Sequence, residues 1–139
     1  MKVALVSGGT KGIGHGVVDQ LLSEGMYVAT FSRNSDQVSK LQGELASKYD
    51  ADRFLVSQGD VTSEDSVKAV VSQVKEKFGQ LDILVNNAGV GYFRDVDTFE
   101  LSRFEQMITT NIVGVALLTK YVVPIMKERK NGLIINIAS

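Results

Sequence analysis

Apolar and polar residues alternate along the chain in two rhythms. Short apolar runs, beginning with Val3-Ala4-Leu5-Val6, read as buried strands. The others are Met26 to Phe31, Arg53 to Ser57, Leu81 to Val85 and Leu133 to Ala138. Between them apolar residues recur at the spacing of one helical face: Ile13, Val17 and Leu21, then Val38, Leu41 and Leu45. Two further sets follow: Val67, Val70, Val71, Val74 and Phe78, then Leu101, Phe104 and Ile108. Thr62 or Ser63 can cap the helix containing Val67, and Glu64 and Asp65 in its first turn suit the positive end of its dipole.

From Asn111 to about Lys127 the pattern changes. Ile112, Val113, Val115, Leu117, Leu118, Tyr121 and Val122 leave no polar face. Such a helix is buried all round, so one face covers the sheet and the other needs a partner. Pro124 is expected to kink it or end its regular hydrogen bonding. Strands joined by helices call for a doubly wound α/β fold, with a parallel sheet and right-handed crossovers. In that fold, ligands sit at the carboxyl ends of the strands.

The turn after the first strand is Ser7-Gly8-Gly9-Thr10-Lys11-Gly12-Ile13-Gly14. Glycine lets the backbone turn sharply and approach a ligand, and the helix that follows offers free N–H groups and a positive dipole end to an anion. The alternative is a tight turn that binds nothing, but four glycines in seven residues exceed what a turn needs. The spacing is not G-x-G-x-x-G, because Val17 holds the third glycine position. Nor is it a phosphate loop of the G-K-[ST] type, because Gly12 follows Lys11.

Composition narrows the setting. A chain of 139 residues suffices for one domain with a real core, residues 1–139. A formal net charge of −1 gives no electrostatic case for nucleic acid or an anionic membrane. Cysteine is absent, which excludes disulfides and thiolate metal sites, and a cytoplasmic setting is expected. No signal peptide is visible, and the apolar run from Ile112 to Leu118 is too short to span a bilayer. His15, the only histidine, reads as a surface residue, and no metal site is expected.

Arg33 lies about 20 residues past the glycine turn, where an NAD site places an acid on the ribose. An Arg there can fork onto a 2′-phosphate, and Lys11 can add a second charge, so NADP(H) is favoured over NAD(H). The alternative reading of both is ordinary solvated side chains. Asp60 and Asn86-Asn87-Ala88-Gly89 likewise have plain readings as turn residues after strands.

Taken in order, these motifs resemble the short-chain dehydrogenase/reductase family, and in general style its 3-oxoacyl-carrier-protein reductases. The resemblance covers the entire chain. It implies a Rossmann-like sheet of order 3-2-1-4-5, with Gly8, Thr10, Lys11, Gly12, Ile13 and Gly14 on the cofactor phosphates. It further implies that Asp60 and the backbone of Val61 contact the adenine, and that Asn87, Ala88 and Gly89 lie beside the ribose. Asn111, in Thr110-Asn111-Ile112-Val113-Gly114, matches the family's catalytic asparagine, and Ser139, in Asn136-Ile137-Ala138-Ser139, its catalytic serine. Ser7 stands where the family has Thr, which keeps the hydroxyl.

One departure is larger. The family's general acid is a tyrosine with a lysine four residues on, and none of Tyr27, Tyr49, Tyr92 and Tyr121 has that lysine. The resemblance places this pair after Ser139. The expectation is therefore an N-terminal portion, ending after the fifth strand, of an oxidoreductase that moves a hydride between NADP(H) and a carbonyl or alcohol. The alternatives are a non-catalytic NADP(H)-binding or sensing protein, or an inactive truncated fragment. The resemblance also implies a homo-oligomer formed through the helix at 111–127.

Overall fold

The computed structural model describes residues 1–138; Ser139 lies outside the described residues. Strand β1 (Val3–Ser7) leads into α1 (Gly12–Ser23), and β2 (Tyr27–Ser32) into α2 (Ser35–Ala46). After a short turn at Ala51–Arg53 come β3 (Phe54–Gln58), α3 (Glu64–Phe78) and β4 (Ile83–Asn86). A long loop then reaches α4 (Leu101–Ile108), a π-helical segment at Thr109–Val113, α5 (Gly114–Arg129) and β5 (Leu133–Asn136). The five strands form one parallel sheet in the order β3-β2-β1-β4-β5. This is the doubly wound, Rossmann-like arrangement expected from the sequence.

Strand β1 shows why both faces are covered. Val3 and Leu5 point to one side, where Val67, Val70 and Val74 of α3 meet Leu118 and Val122 of α5. Val6 points to the other side, among Val18 and Leu22 of α1 and Leu41 and Leu45 of α2. A central strand buried on both faces reads as an unbroken apolar run, and every residue of β1 is buried. Ser63 caps α3 by accepting a hydrogen bond from the Ser66 N–H, and Asn34 caps α2 through Gln37 N–H.

Three expectations need correction. The face of α1 that packs inward is Gly14, Val18 and Leu22, whereas Ile13 is 67% exposed and Val17 and Leu21 are only half-buried. Val17-Val18 and Leu21-Leu22 are adjacent apolar pairs, so two neighbouring stripes fit the helical period equally well. The close approach at Gly14, described below, selects the second stripe.

Next, the apolar segment is not a separate helix starting at Asn111. Residues 101–129 run as one helix of 29 residues, α4 joining α5 through the π-helical turn. Pro124 neither ends it nor leaves a buried gap. Proline takes away only its own hydrogen bond to the Lys120 carbonyl, and both residues are exposed, so water can replace it. By length and composition this helix could cross a membrane, a length that the break expected at Pro124 concealed. Its Gly114, Leu118, Val122 and Met126 stripe is buried, as in a core helix, while Ile112 and Val113 on other faces are exposed.

The strand limits also shift by one to two residues. Arg53 falls in the turn before β3, where its guanidinium donates to the carbonyls of Leu22 and Met26 at 2.7 and 2.8 Å. Leu81 and Asp82 precede β4, and β5 ends at Asn136. Asp82 is buried and joins three strands. Its carboxylate accepts from Val3 N–H at 2.9 Å and from the Gln80 amide at 2.7 Å, and its carbonyl accepts from Leu133 N–H at 2.9 Å.

Candidate functional site

A cavity of about 720 Å³ opens at the carboxyl ends of the strands. Gly8, Thr10, Lys11 and Gly12 of the turn after β1 form one wall, and Ser32, Arg33, Asn34 and Gln37 after β2 another. Gly59 and Val61 after β3, Asn87 to Val90 after β4, and Thr110 complete it. The sheet thus gathers four sequence-distant turns at one place, as the doubly wound topology requires.

The N–H groups of Gly8 and Gly9 are bonded back to β2, and those at the start of α1 are left without a side-chain cap. Gly12 has φ +59° and no atom within 4 Å of where a Cβ would stand, so the turn is open on that side. No side chain caps α1, in contrast to α2 and α3. Its first N–H groups and the positive end of its dipole are therefore available to an anion. Behind the turn packing is close: a Cβ on Gly14 would stand 2.4 Å from the Gly8 carbonyl oxygen and from the Asn87 amide.

Asn87 and Ala88 are more than a turn after a strand. The Asn87 amide donates to the carbonyls of Ser7 and Gly8 at 3.2 and 3.1 Å. In return the buried Ser7 hydroxyl accepts from the Asn87 and Ala88 N–H groups at 3.0 and 2.9 Å. Asn86 reaches the other way, donating to the Asn136 side chain at 2.9 Å and so joining β4 to β5. One short stretch ties the cofactor-type turn to the sheet's edge strand.

Asp60 is held in the turn after β3 by Thr62. Its Oδ1 accepts from Thr62 N–H at 2.9 Å and from the Thr62 hydroxyl at 2.8 Å. Gly59 and Val61, on either side of Asp60, line the cavity, and Asp60 itself is not in the lining. Gly14 and Ile13 also fall outside the lining, the first buried behind the turn and the second on the surface. Lys11 and Arg33 are both exposed and both line the cavity, Lys11 on the wall after β1 and Arg33 on that after β2. Among the described residues neither has a carboxylate within 4 Å.

Asn111 lies in the π-helical segment. Its Oδ1 accepts from Val90 N–H at 2.8 Å and its Nδ2 donates to the Val90 carbonyl at 2.9 Å. The side chain clips the loop after β4 to the long helix. Ser139, the other residue matched to the family's catalysis, lies outside the described residues. His15 is half-buried rather than a free surface residue, with Nε2 at 3.0 Å from the Glu44 carboxylate. Among the described residues no group of acids and histidines could hold a metal ion.

Several residues were not singled out from the sequence. Thr30 is buried in β2, where its hydroxyl accepts from Gly9 N–H at 3.0 Å and donates to the Val6 carbonyl at 2.7 Å. The signal was there: a polar residue interrupting an otherwise apolar buried strand. Gln37 accepts from the Thr10 hydroxyl at 3.0 Å and so joins α2 to the glycine turn. Thr110 is 5% exposed, lines the cavity and has an unpartnered hydroxyl.

The sequence model of the family described as short chain dehydrogenase matches residues 2–139. A 3alpha-hydroxysteroid dehydrogenase from Mediterraneibacter gnavus is 32% identical over 138 residues, covering 99% of this chain and 55% of that protein. The solved 3-ketoacyl-(acyl-carrier-protein) reductase from Brucella melitensis, complexed with NADH, superposes with TM-score 0.91 at 32% identity, covering 99% of this chain and 57% of that one. An alcohol dehydrogenase from the archaeon Thermococcus sibiricus, complexed with 5-hydroxy-NADP, gives 0.90 at 32% identity, covering 98% and 57%. The chain spans about half the length of the relatives it matches. With the order of its sheet, its glycine turn and its Asn-Asn-Ala-Gly stretch in their places, this chain belongs to the short-chain dehydrogenase family of oxidoreductases.

Proposed function

We propose that residues 1–139 form the dinucleotide-binding domain, within an N-terminal portion, of an oxidoreductase that moves a hydride between NADP(H) and a carbonyl or alcohol. The uncapped N-terminus of α1 behind an open glycine turn carries this reading, because it offers a phosphate-bearing ligand N–H groups that no side chain occupies. Gly8, Thr10, Lys11, Gly12, Ile13 and Gly14 form the phosphate cradle, with Ile13 contributing its backbone and Gly14 the close packing behind it. Lys11 and Arg33, both lining the cavity and without acidic partners among the described residues, favour a 2′-phosphate and hence NADP(H) over NAD(H). Asp60 and the backbone of Val61 contact the adenine, and Asn87, Ala88 and Gly89 lie along the ribose. A bound nicotinamide supplies the hydride chemistry; the protein supplies orientation and charge.

Asn111 fixes the loop after β4 at the end of the cavity through both bonds to Val90. From the resemblance, Asn111 serves the proton relay and Ser139 holds the substrate oxygen. A serine hydroxyl has too high a pKa to be the general acid, so that group is assigned to another part of the whole protein. The exposed Ile112 and Val113 support a homo-oligomer formed through the helix at 111–127; a single monomeric species in sedimentation would count against it.

The test is consumption of NADPH by the protein made from its natural gene, with simple ketones as substrates. Ketone-dependent turnover supports the reading. Saturable NADPH binding without turnover supports a non-catalytic binding protein, and absence of binding removes both.

A further inference from the structure

A second cavity, of about 370 Å³, lies beside the first and shares Val90 with it. Its walls are Tyr92, Phe93 and Arg94 of the loop after β4, and Arg103 and Gln106 of α4. Arg103, Gln106 and Thr110 stand at i, i+3 and i+7, one stripe of the continuous helix. That stripe runs from the second cavity into the first. From Thr110 to Arg103 it spans roughly 10 Å at 1.5 Å per residue.

The chemistry of this second cavity is distinctive. The guanidinium carbons of Arg94 and Arg103 lie 5.9 and 5.6 Å from the centroid of one ring, that of Tyr92. The ring is held in turn, because the Tyr92 hydroxyl accepts from Glu100 N–H at 2.8 Å. Asp95, Asp97, Glu100 and Glu105 are near in sequence, yet among the described residues no carboxylate comes within 4 Å of either arginine. Two like charges beside one aromatic ring, without a counter-ion among the described residues, leave nine N–H donors, one from Arg94 Nη1 being spent on the Phe93 carbonyl at 3.3 Å, and a guanidinium grips a carboxylate or phosphate as a fork. Phe93, 88% exposed, adds an apolar wall.

We propose that this cavity selects the substrate: it binds the oxyanion end, carboxylate or phosphate, of a carbonyl compound whose reacting carbon lies toward Asn111 and the first cavity. Tyr92 holds the two guanidiniums, and Phe93 covers the apolar part of the molecule. The inference rests on the hydride-transfer reading and names the class of substrate for it.

The experiment uses the protein made from its natural gene, NADPH, and three ketones of matched length ending in a carboxylate, a phosphate monoester and a neutral amide. A kcat/KM at least about tenfold higher for one or both anionic ketones is expected, the worth of one charge-assisted hydrogen bond. Preference for one anion over the other identifies which is recognised. Arg94→Gln and Arg103→Gln should each lower the anion-to-amide ratio by about that factor, and Arg103→Lys, which keeps the charge but loses the fork, by less. All are at exposed positions, and unchanged melting temperatures will show that they remain folded. Equal kcat/KM for the three ketones, or a ratio that neither glutamine variant moves, overturns the selection site while leaving hydride transfer in place. No turnover of any of the three overturns the reading of function beneath it.

Discussion

Asn87 and Gly8 are joined by a hydrogen bond of 3.1 Å from the Asn87 amide to the Gly8 carbonyl, with a second to the Ser7 carbonyl beside it. The end of β4 thereby sets the conformation of the turn after β1. Asn87→Ala removes two donors from partly buried carbonyls, and should cost about 1–3 kcal/mol of stability. Asn87→Asp should cost more at neutral pH, because a carboxylate would face two carbonyl oxygens. Chemical denaturation of the two variants checks the order, and NADPH titration should show weaker binding in both.

Gly14 gives a sharper case. A methyl group there meets the Gly8 oxygen and the Asn87 amide at 2.4 Å, neither of which can yield without opening the turn. Gly14→Ala should therefore weaken dinucleotide binding by more than about tenfold and cost roughly 1–3 kcal/mol through overpacking. Gly16, in the same helix, has nothing within 4 Å of its Cβ position. Gly16→Ala should instead stabilise the protein by up to about 1 kcal/mol, from helix propensity alone. Melting curves that move in the same direction for both variants would contradict this account.

These two residues also show what the sequence could and could not tell. The central strands β1, β2 and β4 were legible because strands covered on both faces are continuous apolar runs, and every strand was placed within a residue or two. The inward face of α1 was not, because Gly14 is buried for its lack of a side chain, which a search for bulky apolar residues passes over. Asn87 and Asn111 were recognisable as residue types within motifs, but their partners lie 79 and 21 residues away, out of reach of local pattern. Thr30 was visible as a polar break in an apolar run, but its partners, like the unpartnered Thr110 hydroxyl, follow from packing of separate elements and appear only in the fold.

Arg33 and Lys11 bear on cofactor choice. If they bind a 2′-phosphate, Arg33→Ala should raise the Kd for NADPH by about tenfold and leave that for NADH nearly unchanged, since a charge-assisted contact is lost from one ligand only. The same substitution should flatten the salt dependence of NADPH binding. Parallel titrations with the two nucleotides at two ionic strengths decide it. Equal losses for both nucleotides would show that Arg33 serves the fold or the shared part of the ligand.

Asp82 is where pH should act on stability. Burial pushes its carboxyl upward, but hydrogen bonds from Val3 N–H and the Gln80 amide, with the charges of Arg129 and Lys2, outweigh this and hold it below the ordinary carboxylate value. A pKa lower in the folded chain than in the unfolded one means that folding favours the ionised form. The contribution is therefore complete above the unfolded pKa and is lost as pH falls through the folded one. Asp82→Asn should destabilise the protein at neutral pH by about 1–3 kcal/mol, because one amide oxygen must serve donors that a carboxylate satisfied. As the pH is lowered through the folded-state pKa of Asp82, the wild type loses its advantage and the two melting temperatures should converge. A gap that stays constant across this range would mean that Asp82 acts through shape and hydrogen bonding alone, with no charge preference between folded and unfolded chains.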